Sequence, residues 1–313
     1  MKFLVHGSIA FDFIIHSDGS FVDGLRGQDI EKLSVGYFAN ELSKHPGGTA
    51  TNISWNLRIL GLQPVVVGTV GSDGQELIDL LAMQDIDVSM IEKKPDFFTA
   101  TAFIATDNSE RQITFFHPGA DAHGKLPPPE SVAAVDLAII SPRDHVFMQQ
   151  AAAQCQAMNI PYIFDPGQQS LAFSRDELRR AVTGARCLVV NAYEWQLATE
   201  KLEWDVAELL QVCELVVITQ SDQGVTLHAK DDTVHVPACK IDKFVNPTGA
   251  GDALRAGLLV GLASGWSLQD TGRLGAVMGS FPVEQKGTLV ANLGLSYVRA
   301  RAKAAYGEEL PKF

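Results

Sequence analysis

Short apolar, β-branched runs alternate with longer amphipathic stretches along most of the chain. The runs at residues 3–9, 64–70, 137–140, 162–164, 187–190 and 215–219 are mostly apolar without a strict polar alternation, as in strands covered on both faces. Between them, residues 51–60, 75–83, 145–158, 176–182 and 206–212 carry helical spacing. The alternation predicts a doubly wound α/β/α domain with a parallel sheet at its centre. From Ala250 onward the pattern is helical, with Gly265, Gly272 and Gly287 as expected breaks. Two regions, 12–46 and 97–116, interrupt the alternation with aromatics and alternating residues, as in Thr101-Ala102-Phe103-Ile104-Ala105-Thr106. They predict inserted strands, either a small separate layer over a site or extra edge strands of the main sheet. Pro127-Pro128-Pro129 reads as a stiff connector within one domain spanning 1–313, because βα units continue on both sides.

The formal net charge of −12 over 313 residues excludes a general nucleic-acid binder, which needs a basic face. It leaves room for a small anion, which a few oriented amides can hold. The first ten residues are broken by His6 and followed by Asp12, so they read as a strand and not a signal peptide. No apolar run reaches transmembrane length, and a cytoplasmic protein without a membrane partner is expected. Cys155, Cys187, Cys213 and Cys239 form no CxxC pair and read as buried thiols in a reducing compartment. The eight histidines show no metal-binding spacing.

The segment Asn246-Pro247-Thr248-Gly249-Ala250-Gly251-Asp252-Ala253 carries the most chemistry. Pro and Gly close a turn, and small residues then open a helix whose first amides lack partners and face the positive end of the dipole. Gly249, Ala250 and Gly251 thus form a candidate anion hole, with Asp252 in the first turn where a hydroxyl would approach a phosphate. Phosphoryl transfer needs that pairing of amides and a carboxylate base. An ordinary glycine turn with a helix-start aspartate fits the segment equally well when it is taken alone.

The segment resembles the C-terminal signature of the ribokinase/phosphofructokinase-B family of carbohydrate and nucleoside kinases. Pro46-Gly47-Gly48-Thr49-Ala50-Thr51-Asn52 is similar to the family's N-terminal Gly-Gly motif, and Gly7-Ser8-Ile9-Ala10-Phe11-Asp12 to its first strand with the substrate aspartate. Asn191-Ala192-Tyr193-Glu194 resembles the Asn-x-x-Glu motif associated with magnesium and phosphate. The resemblance covers nearly the whole chain and implies a ribokinase-like fold with a small β-strand lid. It implies ATP and Mg2+ as cofactors, with Glu194 holding magnesium through water. Asp252 would be the base, Asn191, Glu194, Thr219 and Gly224 would lie at the nucleotide, and Arg255 is a further candidate for a phosphate or a surface position. Ser221 stands where the family's nucleotide loop usually has glycine, and Asn246 where much of the family has an aspartate linked to a monovalent cation. Dependence on such a cation is therefore left open.

On the acceptor side the likeness is closest to bacterial adenosine kinases of this type, through Asp165-Pro166-Gly167-Gln168-Gln169 and Phe116-His117-Pro118-Gly119-Ala120. Ser8, Asp12, Gly47, Gly48 and Asn52 would hold the ribose, Phe116 would stack on the base, and Gln168 and Gln169 would lie near the nucleoside. Of Phe103, Phe115 and Phe116, at least two are expected in the core of the inserted layer. Ala102 stands where the subgroup can carry a second aromatic. A sugar kinase for ribose or fructose and a non-catalytic nucleoside-binding protein remain as alternatives. The resemblance further implies a homodimer through the lid.

Overall fold

The computed structural model describes residues 1–26, 34–109, 111–132 and 134–313. The chain begins with β1 (Lys2–His6), then β2 (Ala10–His16), a short α1 (Phe21–Leu25), β3 (Glu41–Gly47), α2 (Thr49–Ile59) and β4 (Gln63–Val70). It continues through α3 (Gln75–Met83), β5 (Asp87–Lys93), β6 (Ala100–Thr106), β7 (Gln112–His117), β8 (Leu137–Ile140), α4 (His145–Ala157) and β9 (Tyr162–Phe164). Next come α5 (Arg175–Val182), β10 (Cys187–Asn191), α6 (Ala192–Leu202), α7 (Val206–Leu209), β11 (Leu215–Thr219), β12 (Val225–Ala229) and β13 (Asp232–Val236). Helices α8 (Ala250–Ala263), α9 (Leu268–Ser280) and α10 (Leu295–Tyr306) end the chain.

A nine-stranded sheet runs in the order β13-β12-β11-β10-β9-β8-β1-β4-β5. Strands β5 to β11 of that order pair in parallel, and β12 and β13 add an antiparallel hairpin at one edge. Side chains on successive strand residues point to opposite faces, which is why the strands read as mostly apolar without a strict alternation. Phe3, Val5, Val66 and Val189 pack with residues of α2, α3, α8 and α9, whereas Leu4, Val65, Val67 and Leu188 pack with α4, α5 and α6.

The direction of winding reverses between β1 and β8. From β1 the chain moves outward through α2 and α3 on one face, and from β8 it moves the other way through α4 to α6 on the other. Loops at the carboxyl ends of β1 and β8 therefore diverge and leave a crevice, the usual ligand position in an open α/β sheet.

Strands from both inserted regions pair with each other in a separate four-stranded sheet, β3-β2-β6-β7, and not with the edge of the large one. The 12–46 region also contains α1, which the strand-like pattern did not predict. Ser20 caps it, and buried Phe21 packs edge-on to Tyr37, whose hydroxyl donates to the Phe21 carbonyl at 2.9 Å. Residues 27–33 of that region lie outside the described residues.

The expected break at Gly272 is not one. Gly272 lies inside α9, where a Cβ would come within 2.7–2.8 Å of Val236 and Leu227 side chains, so the missing side chain lets the helix sit on the β12–β13 hairpin. Gly265 and Gly287 do turn the chain, with φ of 65° and 76°. All four cysteines are buried and free. Among the described residues no helix is long and apolar enough to cross a membrane.

Candidate active site

The turn before α8 is built by local hydrogen bonds. Asn246 Oδ1 accepts from the Thr248 amide at 2.8 Å, and Gly249 takes φ of 86° to start the helix. Only glycine enters that left-handed region without strain, and a Cβ there would also press on Thr288 at 3.0 Å. The Ala250 amide bonds the Pro247 carbonyl at 3.3 Å, and the first helical bond runs from Ala253 to Gly249 at 3.0 Å. Of the expected Gly249–Ala250–Gly251 trio only the Ala250 amide is engaged, and the Gly249, Gly251 and Asp252 amides are left open to an anion. Gly251 is exposed although the helix after it is buried.

Asp252 points toward α2. Asn52 Nδ2 donates to its Oδ2 at 2.7 Å, joining the second helix of the chain to the eighth. Burial lifts the Asp252 carboxyl to about 6; Arg255 and the Asn52 bond oppose the shift, and Asp165 and Asp12 add to it. Asp12, itself 7% exposed, is raised by burial to about 6. Two carboxyls from opposite ends of the sequence thus face one space with proton affinities near neutrality.

The Gly-Gly motif makes this approach possible. A Cβ on Gly47 would sit 2.3 Å from the Asp12 carboxylate, and one on Gly48, at φ of 89°, would sit 2.4 Å from the Ser8 carbonyl. Ser8 is buried and its Oγ accepts from the Thr49 amide at 3.2 Å, so it caps α2 as well as facing the crevice. Thr49 Oγ1 in turn donates to the Pro142 carbonyl at 3.2 Å, locking α2 to the loop after β8.

Strand register places the next residues. His45 pairs with Asp12 across β3–β2, Asp12 with Ala102 across β2–β6, and Ala102 with Phe116 across β6–β7. Paired residues share a face, so His45, Asp12, Ala102 and Phe116 form one row on the side of the small sheet that looks toward Asp252. Phe116 is 46% exposed, and Phe103 and Phe115, on the opposite face, are 43% and 69% exposed. The expectation that at least two of the three fill a core is overturned: the small sheet has no layer packed over its outer side among the described residues, and Phe103 merely stacks on Phe13 at 5.3 Å.

On the far side of the crevice, Asn191 and Glu194 form a reciprocal capping box at the start of α6. Asn191 Oδ1 accepts from the Glu194 amide and Glu194 Oε2 from the Asn191 amide, both at 2.8 Å. The cap uses one oxygen of Glu194 and fixes its rotamer, which fits a carboxylate that meets a hydrated magnesium ion with its other oxygen. Burial, then Asp165, raise the Glu194 carboxyl above its ordinary value. Thr219 ends β11, and the following loop closes through a Gln220 amide bond to the Gly224 carbonyl at 2.8 Å. Ser221 keeps a left-handed φ of 52°, so the loop holds there a backbone shape that glycine would take more easily. Gln168 is exposed and Gln169 half-buried on a 3-10 turn after β9.

Arg255 is neither a surface residue nor a free phosphate ligand. It is 7% exposed and grips Asp165, itself 1% exposed, through a two-bond fork: Nη2 to Oδ1 at 2.8 Å and Nε to Oδ2. Sequence reasoning missed this pair, the Asn52–Asp252 bond and His45. Asn52, Asp252, Asp165 and Arg255 each stood in a motif, but nothing in the sequence pairs them, and His45 left no trace.

The sequence model of the pfkB family carbohydrate kinases matches residues 4–293. The chain belongs to that family. A pfkB kinase is a phosphotransferase with a hydroxyl acceptor. The chain is similar to a nucleoside kinase of Methanocaldococcus jannaschii, 32% identical over 249 residues covering 78% of this chain and 81% of that one. A solved nucleoside kinase from that organism, described as an archaeal member of the ribokinase family, superposes with a TM-score of 0.87 at 27% identity over 97% of this chain and 98% of that one. A Burkholderia thailandensis nucleoside kinase in complex with inosine gives a TM-score of 0.91 at 31% identity, covering 99% of this chain and 100% of that chain. Its complex with ADP and inosine gives 0.89 at 30% identity, over 99% and 98% of the two chains. The fold is ribokinase-like.

Proposed function

We propose that this pfkB kinase transfers the γ-phosphoryl group of ATP to the 5′-hydroxyl of a nucleoside, with adenosine as the lead acceptor and AMP and ADP as products. The observation that carries the reading is the row Asp12, Ala102, Phe116 facing Asp252. Asp12 accepts from two vicinal ribose hydroxyls. Ala102 leaves room beside it, and exposed Phe116, next in the same row, offers a flat wall for a base. Similarity to nucleoside kinases, one of them solved with inosine and with ADP, supports the same reading.

In this reading the 5′-oxygen attacks the γ-phosphorus as the bond to the ADP oxygen breaks, and Asp252 takes the hydroxyl proton as the new bond forms. Charge on the transferring oxygens is met by the Gly251 and Asp252 amides. Glu194 would hold magnesium through water, and the ion when bound neutralises phosphate charge. Ser8, Gly47, Gly48 and Asn52 shape the ribose site, and Asn191, Thr219 and Gly224 the nucleotide side. Gln168 and Gln169 face the nucleoside from the loop after β9. The small sheet acts as a lid that excludes water.

Steady-state kinetics with MgATP and adenosine, inosine, guanosine, ribose and fructose test this. The reading requires kcat/KM for a purine nucleoside to exceed that for either free sugar by at least about tenfold, the worth of one stacked base. Turnover with ribose alone would replace it with a sugar kinase. Phe116→Ala should raise the nucleoside KM by about 5- to 150-fold, equivalent to roughly 1–3 kcal/mol of stacking, and leave ribose kinetics unchanged. Equal losses on both acceptors would place Phe116 outside the base site.

The pH profile follows from the two carboxyls. Each must be ionised to act, and burial raises both to about 6. The plot of log kcat/KM should therefore fall below about pH 6 with a slope approaching two. A slope of one would mean that only one of the pair works as a carboxylate.

The other face of the lid supports a homodimer. Leu42, Ile15, Ala105 and Ile113 form one cross-strand row, and Phe13, Phe103 and Phe115 another that ends in Lys44. Leu42, Phe103, Ile113 and Phe115 are 38–69% exposed, an apolar patch bordered by Lys44 of the kind that two copies bury. Sedimentation should show a dimer at micromolar concentration, and Phe115→Glu a monomer. A monomeric wild type would contradict it.

A further inference from the structure

We propose that Arg255 is a positioning residue for the reaction: held by its fork to Asp165 and bonded to the Gly251 carbonyl, it fixes the turn at the start of α8 and sets a positive charge one turn from Asp252. This rests on the reading of Asp252 as the base.

The geometry is over-determined. Besides the two bonds to Asp165, Arg255 Nη1 donates to the Gly251 carbonyl at 3.1 Å, and a Cβ on Gly251 would lie 2.9 Å from that nitrogen. One planar group thus ties the exposed turn of the anion hole to the strand end after β9. Asp165 is itself anchored, its amide bonding the Ile140 carbonyl at 2.9 Å. The loop that follows it is clamped by Lys201, whose Nζ bonds the Ser170 carbonyl at 2.6 Å and the Leu171 carbonyl at 3.1 Å. The fork leaves the guanidinium no freedom to follow a moving phosphate, so its effect must be exerted from a fixed place.

Electrostatics gives that place a purpose. The groups facing Asp252 are Arg255 on its own helix, the Asn52 amide on α2, Asp12 on β2 and Asp165 after β9. Arg255 is the one cation among them. It meets three carboxylates: burial works against its charge, but Asp165, Asp252 and Glu194 outweigh burial and hold it above its ordinary value. A buried ion pair contributes little net stability compared with apolar residues of similar volume, because both charges lose their hydration. Stability is therefore a poor explanation for a pair placed one turn from the base, whereas charge control of that base is a direct one.

The test compares kcat/KM against pH, and thermal melting, for wild type, Arg255→Met, Arg255→Lys and the double variant Asp165→Asn/Arg255→Met. Loss of the cation should raise the acid limb of Arg255→Met by about one pH unit, a typical effect of one adjacent charge. Turnover lost at pH 7 should then return in part at pH 8.5. Arg255→Lys keeps the charge without the fork, so its limb should stay at the wild-type pH while kcat falls. If Arg255→Met does not fold, the double variant carries the same test with no charge left buried and unpaired. Arg255 acts on Asp252 more strongly than Asp165 does, so its limb should still rise, by less. Limbs that stay at the wild-type pH while melting temperature and kcat fall would make Arg255 merely structural and overturn the proposal alone. A wild type inactive on nucleosides, or an Asp252→Asn variant as active as wild type, would overturn the reading beneath it as well.

Discussion

Asp252→Asn should lower kcat by about two to four orders of magnitude with MgATP and adenosine, the range of a lost general base, and leave KM nearly unchanged. The amide keeps the shape of the side chain and can still accept from Asn52 Nδ2, so substrate binding survives while the proton acceptor is gone. The same substitution should not cost stability. Asp252 is raised to about 6 in the fold, so between the unfolded value of 3.8 and 6 the folded chain binds more protons than the unfolded one. Stability therefore falls as pH rises through that window, and above it the ionised carboxyl costs up to about 3 kcal/mol. Removing the charge relieves that cost, so the variant should melt at or above wild type at pH 7 and show less advantage at pH 4. A variant that is inactive because it melts far below wild type would give a structural role instead.

Asp12→Ala should divide the loss differently. Two charge-assisted bonds to ribose hydroxyls, each worth about 1.5–3 kcal/mol, predict a fall in kcat/KM of roughly 10²- to 10⁴-fold. Most of it should appear in KM, and it should be equal for adenosine, inosine and ribose, because all three present the same diol. Isothermal titration of adenosine into the variant measures this without turnover. Binding within threefold of wild type would place the diol elsewhere, with His45 in the same row as the first residue to examine.

Contiguous strands and the helices between them were legible because each is apolar on the faces it buries. The β12–β13 hairpin was not read from the sequence, since an edge pair has one wet face and few buried residues. Gly272 misled because its reason is packing against Val236 and Leu227, a contact between elements distant in sequence. At the site, the turn at Gly249 was visible as local chemistry. The Asn52–Asp252 bond, 200 residues apart, and the Arg255–Asp165 fork, 90 apart, exist only through folding. The aromatics of the lid were assigned to a core because sequence shows their apolarity and not which face is left uncovered.

The identity of the product separates a nucleoside kinase from a sugar kinase or an ATPase most directly. The protein should be incubated with MgATP and adenosine, and the phosphorus-containing products resolved by NMR. AMP and ADP should form in equal amounts, and Asp252→Asn should form AMP at least about a hundredfold more slowly. ADP accompanied by inorganic phosphate with adenosine unchanged, or a phosphorylated product only when ribose replaces adenosine, would contradict a nucleoside kinase.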